Sequence, residues 1–323
     1  MTAWLLRRLG SALAIVFAVV SFSFVAIHLA PGTPFLPEEG RAINPAAVAR
    51  LRDEFGLDRS LPEQYVRYLG ALARGRLGES FSQRRPVAEA IETAVPNTAV
   101  LAGAALLIDF LLGIAIGVFQ AARTRRRSDV ALTNATLFLY SLPIFWLGLV
   151  LLLVFGQWLH WFPVGAVTDP VLYPSLPLGG KLLDRLHHLA LPALTLGLVG
   201  AAGTARFQRA ALLEALGQDY VRTARAKGLR ESAVLVRHAL RDALLPVITL
   251  LGLALPFLLT GAVLVETVFA WPGLGKLAAD AIAARDYPLV LATTLLASGA
   301  VVMGSLLADL FVVLADPRVR LAT

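Results

Sequence analysis

Long uncharged apolar runs dominate the chain and fall near residues 9–30, 97–121, 130–159, 189–211, 244–265 and 289–315. Each can cross roughly 30 Å of hydrocarbon as a helix, which takes about 20 apolar residues. The pattern therefore predicts an all-α membrane protein with six transmembrane helices. Between the first two runs, residues 31–96 change character. Asn44 and Pro45 read as N-cap and first helical position, AAVARLRDEF as a short amphipathic helix, and Gly56 as its stop. A second helix, Leu61 to Ala73, carries Leu61, Tyr65, Tyr68, Leu69 and Leu72 on one face and ends at Gly75. Pro86 opens a third that leads into the second run. This predicts a small helical insertion, residues 31–96, on a single transmembrane domain spanning 1–323.

Composition makes lipid the solvent for much of the chain: of 323 residues, 57% are hydrophobic and only 16% charged. The first run follows Arg7 and Arg8 as a signal peptide would, but it exceeds the roughly 7 to 15 residues of a signal's apolar core and reads as an uncleaved helix. The formal charge of +7 does not indicate nucleic acid. The bases sit in short clusters beside apolar runs: Arg7 and Arg8, Arg123 to Arg127, Arg206 through Arg241, and Arg318 with Arg320. With six crossings all four clusters share one side. The positive-inside rule makes that side, and both termini, cytoplasmic. Residues 31–96 are then external, and their nine basic and nine acidic residues cancel. Cysteine is absent, which excludes disulfides, thiolate metal sites and cysteine nucleophiles.

Candidate chemistry is sparse. The serines form no nucleophile elbow, and no GxxxxGK[ST] phosphate loop occurs, so the chain cannot hold ATP by that device. His187 and His188 are adjacent and diverge on a helix, without a third ligand at metal spacing. Asp109 and Asp309 lie within apolar runs, where an unpaired carboxylate is costly. Placed about two turns from the cytoplasmic ends, they are expected to pair with Arg206 or Arg241, with a transport role as the alternative. Tyr140, Pro143, Phe145 and Trp146 read as lipid or helix packing, with the lining of a pathway as the alternative, and Pro192, Pro246 and Pro256 as kinks within spans. Glu266 begins ETVFAWPGLG, in which Trp271 suits the lipid interface and Pro272 to Gly275 force a turn. An ordinary loop and an external gate are both compatible with that stretch.

The informative segment is residues 212–243. In DYVRTARAKG, Val221, Ala224 and Gly228 fall at i, i+3 and i+7, giving a short helix one small face, while Arg222, Arg225, Lys227 and Arg230 surround it. A partner's groove could receive such a face; the bases alone would also satisfy positive-inside topology. Gly228 can take the left-handed conformation that ends the helix.

This segment resembles the cytoplasmic loop of binding-protein-dependent ABC importer permeases, whose pattern is Glu-Ala-Ala, three residues, Gly, nine residues, Ile-any-Leu-Pro. Aligned on Gly228, only Ala224, Gly228 and Leu240 agree in the letter. DYVRTARAKG followed by HALRDALLP is nonetheless similar to the variant of the dipeptide, oligopeptide and nickel branch. LDRSLPEQYVRYLGALARGRLGESF with RRPVAEAI and VPNTAVLA resembles the external segment of the first permease in peptide importers. VLVETVFAWPGLGKL resembles their fifth-to-sixth loop, and DPRVR a C-terminal motif.

The resemblance implies the type I ABC importer permease fold and a cytoplasmic coupling loop at 212–243. It implies ATPase coupling through Tyr220, Val221, Arg222, Ala224, Arg225, Lys227 and Gly228, with Ala224 and Gly228 as the close contact. An external gate would contain Glu266, Phe269, Trp271, Pro272, Gly273 and Gly275. The implied partners are a second homologous permease, two cytoplasmic ATPases that use ATP and magnesium, and an external solute-binding protein. This chain would bind membrane lipid, no cofactor and no nucleic acid, and would not itself be an enzyme. The rival classes are a gradient-driven transporter or channel and an intramembrane enzyme.

Overall fold

The computed structural model describes residues 2–30, 56 and 58–315, with side chains for 8, 10–30, 56, 58–250 and 262–307. Among the described residues the chain is helical and contains no strand. The elements are α1 (Thr2–Leu29), α2 (Leu61–Leu72), α3 (Val87–Ala122), α4 (Arg127–Ser141) and α5 (Ile144–Leu151), which runs on as a π-helix over Leu152–Trp158. Then come α6 (Leu178–Leu216), α7 (Asp219–Ala226), α8 (Leu240–Val268), α9 (Leu274–Ala283) and α10 (Tyr287–Ala315). The expected helix over 46–55, the DPRVR motif and the Asp309 side chain lie outside the described residues.

Four helices are long and apolar enough to cross a membrane among the described residues, within α1, α3, α6 and α10, and α4 with α5 makes a fifth if that pair is one span. The continuous third helix expected over 130–159 is in fact broken, with α4 and α5 meeting at 103°. Proline explains the break. Pro143 caps α5, and Leu142 before it is driven to an extended conformation, φ −75° and ψ 138°, because a residue preceding proline is hindered from the α region. By contrast, the helices continue through Pro192, Pro246 and Pro256 without a break.

α3 and α6 form the spine, and small residues let them approach. A Cβ on Gly113 would lie 2.6 Å from that of Thr204; on Gly117, 2.7 Å from the Ala205 carbonyl; on Gly197, 2.7 Å from the Ile108 Cβ. Close backbone approach through a small-xxx-small pair, Gly113 and Gly117, is how helices gain packing where lipid offers no hydrophobic drive. The contacts ascend together along both helices, from Ile108–Gly197 to Gly117–Gln208, so α3 and α6 are parallel. The broken α4–α5 pair therefore returns the chain from one end of the spine to the other.

Three apolar clusters stack along the spine. At the basic end, beside Arg123–Arg127, Ala121, Leu212 and Ala215 meet α7 and the start of α8. Leu101 and Ala105 meet Leu191, Leu196, Val265, Phe269 and Trp271 further along. At the opposite end Val87, Ala90, Ile91 and Ala94 pack on Leu274, Leu277, Ala281 and Leu289. The helix opened by Pro86 leads into the second apolar run without a break: residues 87–96 are the first turns of α3, and the helix continues through Pro96. α2 lies along the last two turns of α1, where the Tyr65 hydroxyl is 2.6 Å from that of Ser21 and Phe24 contacts the rings of Tyr65 and Tyr68.

Candidate functional site

Two constellations occupy opposite ends of the spine. At the basic end, α6 stops at Leu216, Gly217 turns the chain, and α7 folds back under the helix ends. Gly228 takes φ +75° and closes α7 as its sequence anticipates. Its N–H donates to the Arg225 carbonyl at 2.9 Å, and the Leu229 N–H to that of Ala224 at 3.4 Å, which is the paired-bond cap that left-handed glycine makes possible.

The small face of α7 does not point where the sequence placed it. Val221 and Ala224 are buried within the chain itself, against Leu212, Ala215, Ala121, Val234, Ala239 and Ala243. Small side chains suit close packing against the protein's own helix ends as well as against a partner. The exposed face of α7 is instead polar: Arg222, Thr223, Arg225 and Lys227, followed by Gly228. Arg225 donates to Glu231 at 3.1 and 2.6 Å, and Arg222 to Asp219 at 3.2 Å. The Arg225 guanidinium holds the Glu231 carboxyl below its ordinary range. That pair therefore contributes above the usual carboxylate pKa and is lost as pH falls through the lowered one; being exposed, it contributes little. Tyr220 leans on α8, and its phenol is pushed up to about 12 by burial and by its hydrogen bond to the Asp242 carboxylate, so it is a neutral donor at physiological pH.

A Cβ on Gly228 would meet nothing within 4 Å, so strain rather than collision governs substitution there. Gly228→Asn is expected to be tolerated and Gly228→Val to cost about 1–2 kcal/mol of cap stability. Thermal melts of the purified chain would distinguish them, and equal stability of the two variants would contradict the assignment.

At the opposite end, the ETVFAWPGLG stretch interlocks with VPNTAVLA. Glu266 is fully buried at the end of α8. Its carboxylate accepts the Thr98 hydroxyl at 2.6 Å and the Lys276 N–H at 2.8 Å. The Thr98 oxygen in turn accepts the Leu274 N–H at 2.7 Å. The Asn97 amide donates to the Pro272 carbonyl at 2.9 Å, and the Trp271 indole N–H to the Asn97 carbonyl at 3.0 Å. A Cβ on Gly273 would collide with the Glu266 carboxylate and the Thr98 hydroxyl, and one on Gly275 would lie 2.7 Å from the Val263 Cα. Trp271, expected at the lipid interface, is buried with Phe269 in the core, because its indole N–H finds a backbone acceptor there. The loop before α6 joins in, with the Ala166 N–H donating to the Phe269 carbonyl at 3.1 Å.

Between these ends, Asp109 does not pair with Arg206 or Arg241. It lies 13 residues before the end of α3, between three and four turns rather than two. The Thr204 hydroxyl donates to it at 2.7 Å, and Gly200 faces it without a side chain. Arg206 instead sits 5.4 Å over the ring of Tyr140. Phe145 and Trp146 are exposed on α5. His187 contacts the Trp161 carbonyl and His188 its own helix at Asp184.

Sequence reasoning missed two buried acids. Asp286 accepts from both Ser80 and Ser82 hydroxyls and from the Ser82 and Leu289 N–H groups, tying the segment before α3 to the start of α10. Asp129 is gripped by Arg209 through two hydrogen bonds, 3.0 and 2.9 Å. In the sequence its neighbours Arg125 to Arg127 carry only a topological signal.

Residues 113–321 match the family described as binding-protein-dependent transport system inner membrane component, and residues 1–102 its N-terminal counterpart. The oligopeptide transport system permease protein AppB of Bacillus subtilis is 38% identical over 321 residues, 99% of this chain and 100% of that protein. The di/tripeptide transport system permease protein DppB of Pseudomonas aeruginosa is 41% identical over 334 aligned residues, 99% of each chain. The glutathione transport system permease protein GsiC of Pectobacterium atrosepticum is 37% identical over 319, 98% of each.

Proposed function

Because the chain belongs to the family of inner membrane components of binding-protein-dependent transport systems, we propose that it is the permease subunit through which an ATP-driven importer passes di- and oligopeptides or similar small solutes. Its relatives are named as permeases of peptide and glutathione transport systems. On this reading α1, α3, the α4–α5 pair, α6, α8 and α10 make six crossings. The basic end is cytoplasmic, with both termini, and α2 lies outside.

The observation that carries the reading is α7. It is an eight-residue foot, closed by Gly228 and seated on the ends of α3, α6 and α8, with its other face basic and exposed. A helix seated in this way transmits a push from a cytoplasmic partner to three long helices at once. The partners proposed are two ATPases that bind ATP and magnesium, a second homologous permease completing the passage, and an external solute-binding protein. The Glu266–Thr98 interlock is the external closure, and this chain carries no cofactor. Alternating access follows: displacement of α7 tilts the spine, and the interlock yields or reforms at the far end.

The test is transport by the assembled complex in proteoliposomes with a radiolabelled tripeptide. Uptake is expected only with ATP, the ATPases and the binding protein together. Uptake that follows an ion gradient and ignores the ATPases would replace this reading with a secondary transporter.

A further inference from the structure

α6 carries two cations one turn apart that both engage α4, the first half of the broken span. Arg209 meets the Asp129 carboxylate at the start of α4, its Nε donating to Oδ1 at 3.0 Å and its Nη2 to Oδ2 at 2.9 Å. Arg206 covers the ring of Tyr140 near the other end of α4, a ring that also lies beside Gly203. The Asp129 side chain is 4% exposed, and its carboxylate also accepts the Arg125 N–H at 3.0 Å. A bidentate guanidinium fork fixes orientation as well as distance, which a lysine ammonium cannot do.

Leu212, one turn beyond Arg209, is fully buried in the apolar cluster that also holds Val221 and Ala224 of α7. The fork therefore joins α6, whose end shares an apolar cluster with α7, to α4, which contributes no residue to that cluster. α4 ends at the sharp break before Pro143, so it can swing relative to α5 if its start is moved.

We infer that the Arg209–Asp129 fork is a positioning device that ties displacement of α7 to movement of the cytoplasmic half of the broken span, and so sets how much solute passes per ATP. This rests on the proposed function and adds the route by which the stroke spreads beyond the spine.

The experiment measures tripeptide taken up per ATP hydrolysed by the reconstituted importer carrying Arg209→Lys, which keeps the charge and loses the fork, or Asp129→Asn, which keeps the shape and loses the charge. Co-purification of the ATPases and the melting temperature are recorded for each. Both variants are expected to assemble and hydrolyse ATP while solute per ATP falls at least about fivefold, the scale of an ordinary coupling between sites. A purely structural role would lower assembly or melting temperature and reduce hydrolysis and uptake in proportion. An unchanged ratio in the variant that assembles, or a proportional fall in both activities, overturns the inference. The wild-type importer separates this from the broader reading: if it transports without ATPases, the proposed function fails, whereas if it requires them and only the variants keep their ratio, the fork alone is refuted.

Discussion

Replacing Glu266 with alanine is expected to abolish solute uptake while leaving the chain in the membrane. The carboxylate is the shared acceptor for the Thr98 hydroxyl and the Lys276 N–H in a fully buried setting. Removing it leaves both donors unpaired, at about 1–3 kcal/mol each. The empty volume also loosens Gly273, which lies against that carboxylate. A combined loss of about 3 kcal/mol or more changes the ratio of formed to unformed interlock by about 100-fold or more.

The ordering among variants is the sharper part. Thr98→Val removes both the donor to Glu266 and the acceptor of the Leu274 N–H, so it should be as severe as Glu266→Ala. Glu266→Gln keeps one acceptor and nearly the same shape and should be milder; Thr98→Ser, which keeps the hydroxyl, milder still. Initial uptake rates in vesicles, normalised to permease content, would test this. Normal transport by Glu266→Ala, or Thr98→Val no worse than Thr98→Ser, would exclude the interlock from the transport cycle.

The two halves of that interlock are 168 residues apart in the chain, which explains why the sequence named only one. Local pattern makes ETVFAWPGLG a turn and VPNTAVLA the start of an apolar helix, but nothing local says that Thr98 meets Glu266. The apolar runs were legible because lipid forces length and composition on a crossing helix, and the left-handed Gly228 because a helix stop has its own chemistry. Pro143 was visible too, but whether a proline breaks a span or rides inside it depends on neighbours: α6 and α8 run through theirs, while α4 stops. Asp109 went astray for a similar reason. A buried carboxylate needs a partner, but a threonine hydroxyl one helix away satisfies that need as well as a distant arginine does. Asp129 and Arg209 each looked like topology charges, and only the fold brings them together.

The same ambiguity governs α7, and the two faces of that helix separate it. Val221→Asp places a carboxylate at a fully buried position among alanines, leucines and valines, where an unpaired charge costs several kcal/mol. It should strip the permease from the membrane or leave it unfolded, with ATPase binding lost as a consequence. Arg222→Glu combined with Lys227→Glu changes only exposed positions, where substitutions usually shift stability by about 0.5 kcal/mol or less. Permease content and melting temperature should stay at wild-type values while capture of the ATPases weakens and ATP-dependent uptake falls at least about tenfold, since reversing rim charges turns attraction into repulsion at a contact. If instead the double reversal transports normally while Val221→Asp remains folded and loses its ATPases, the partner reads the small face, and α7 must leave its seat on α3, α6 and α8 to offer it.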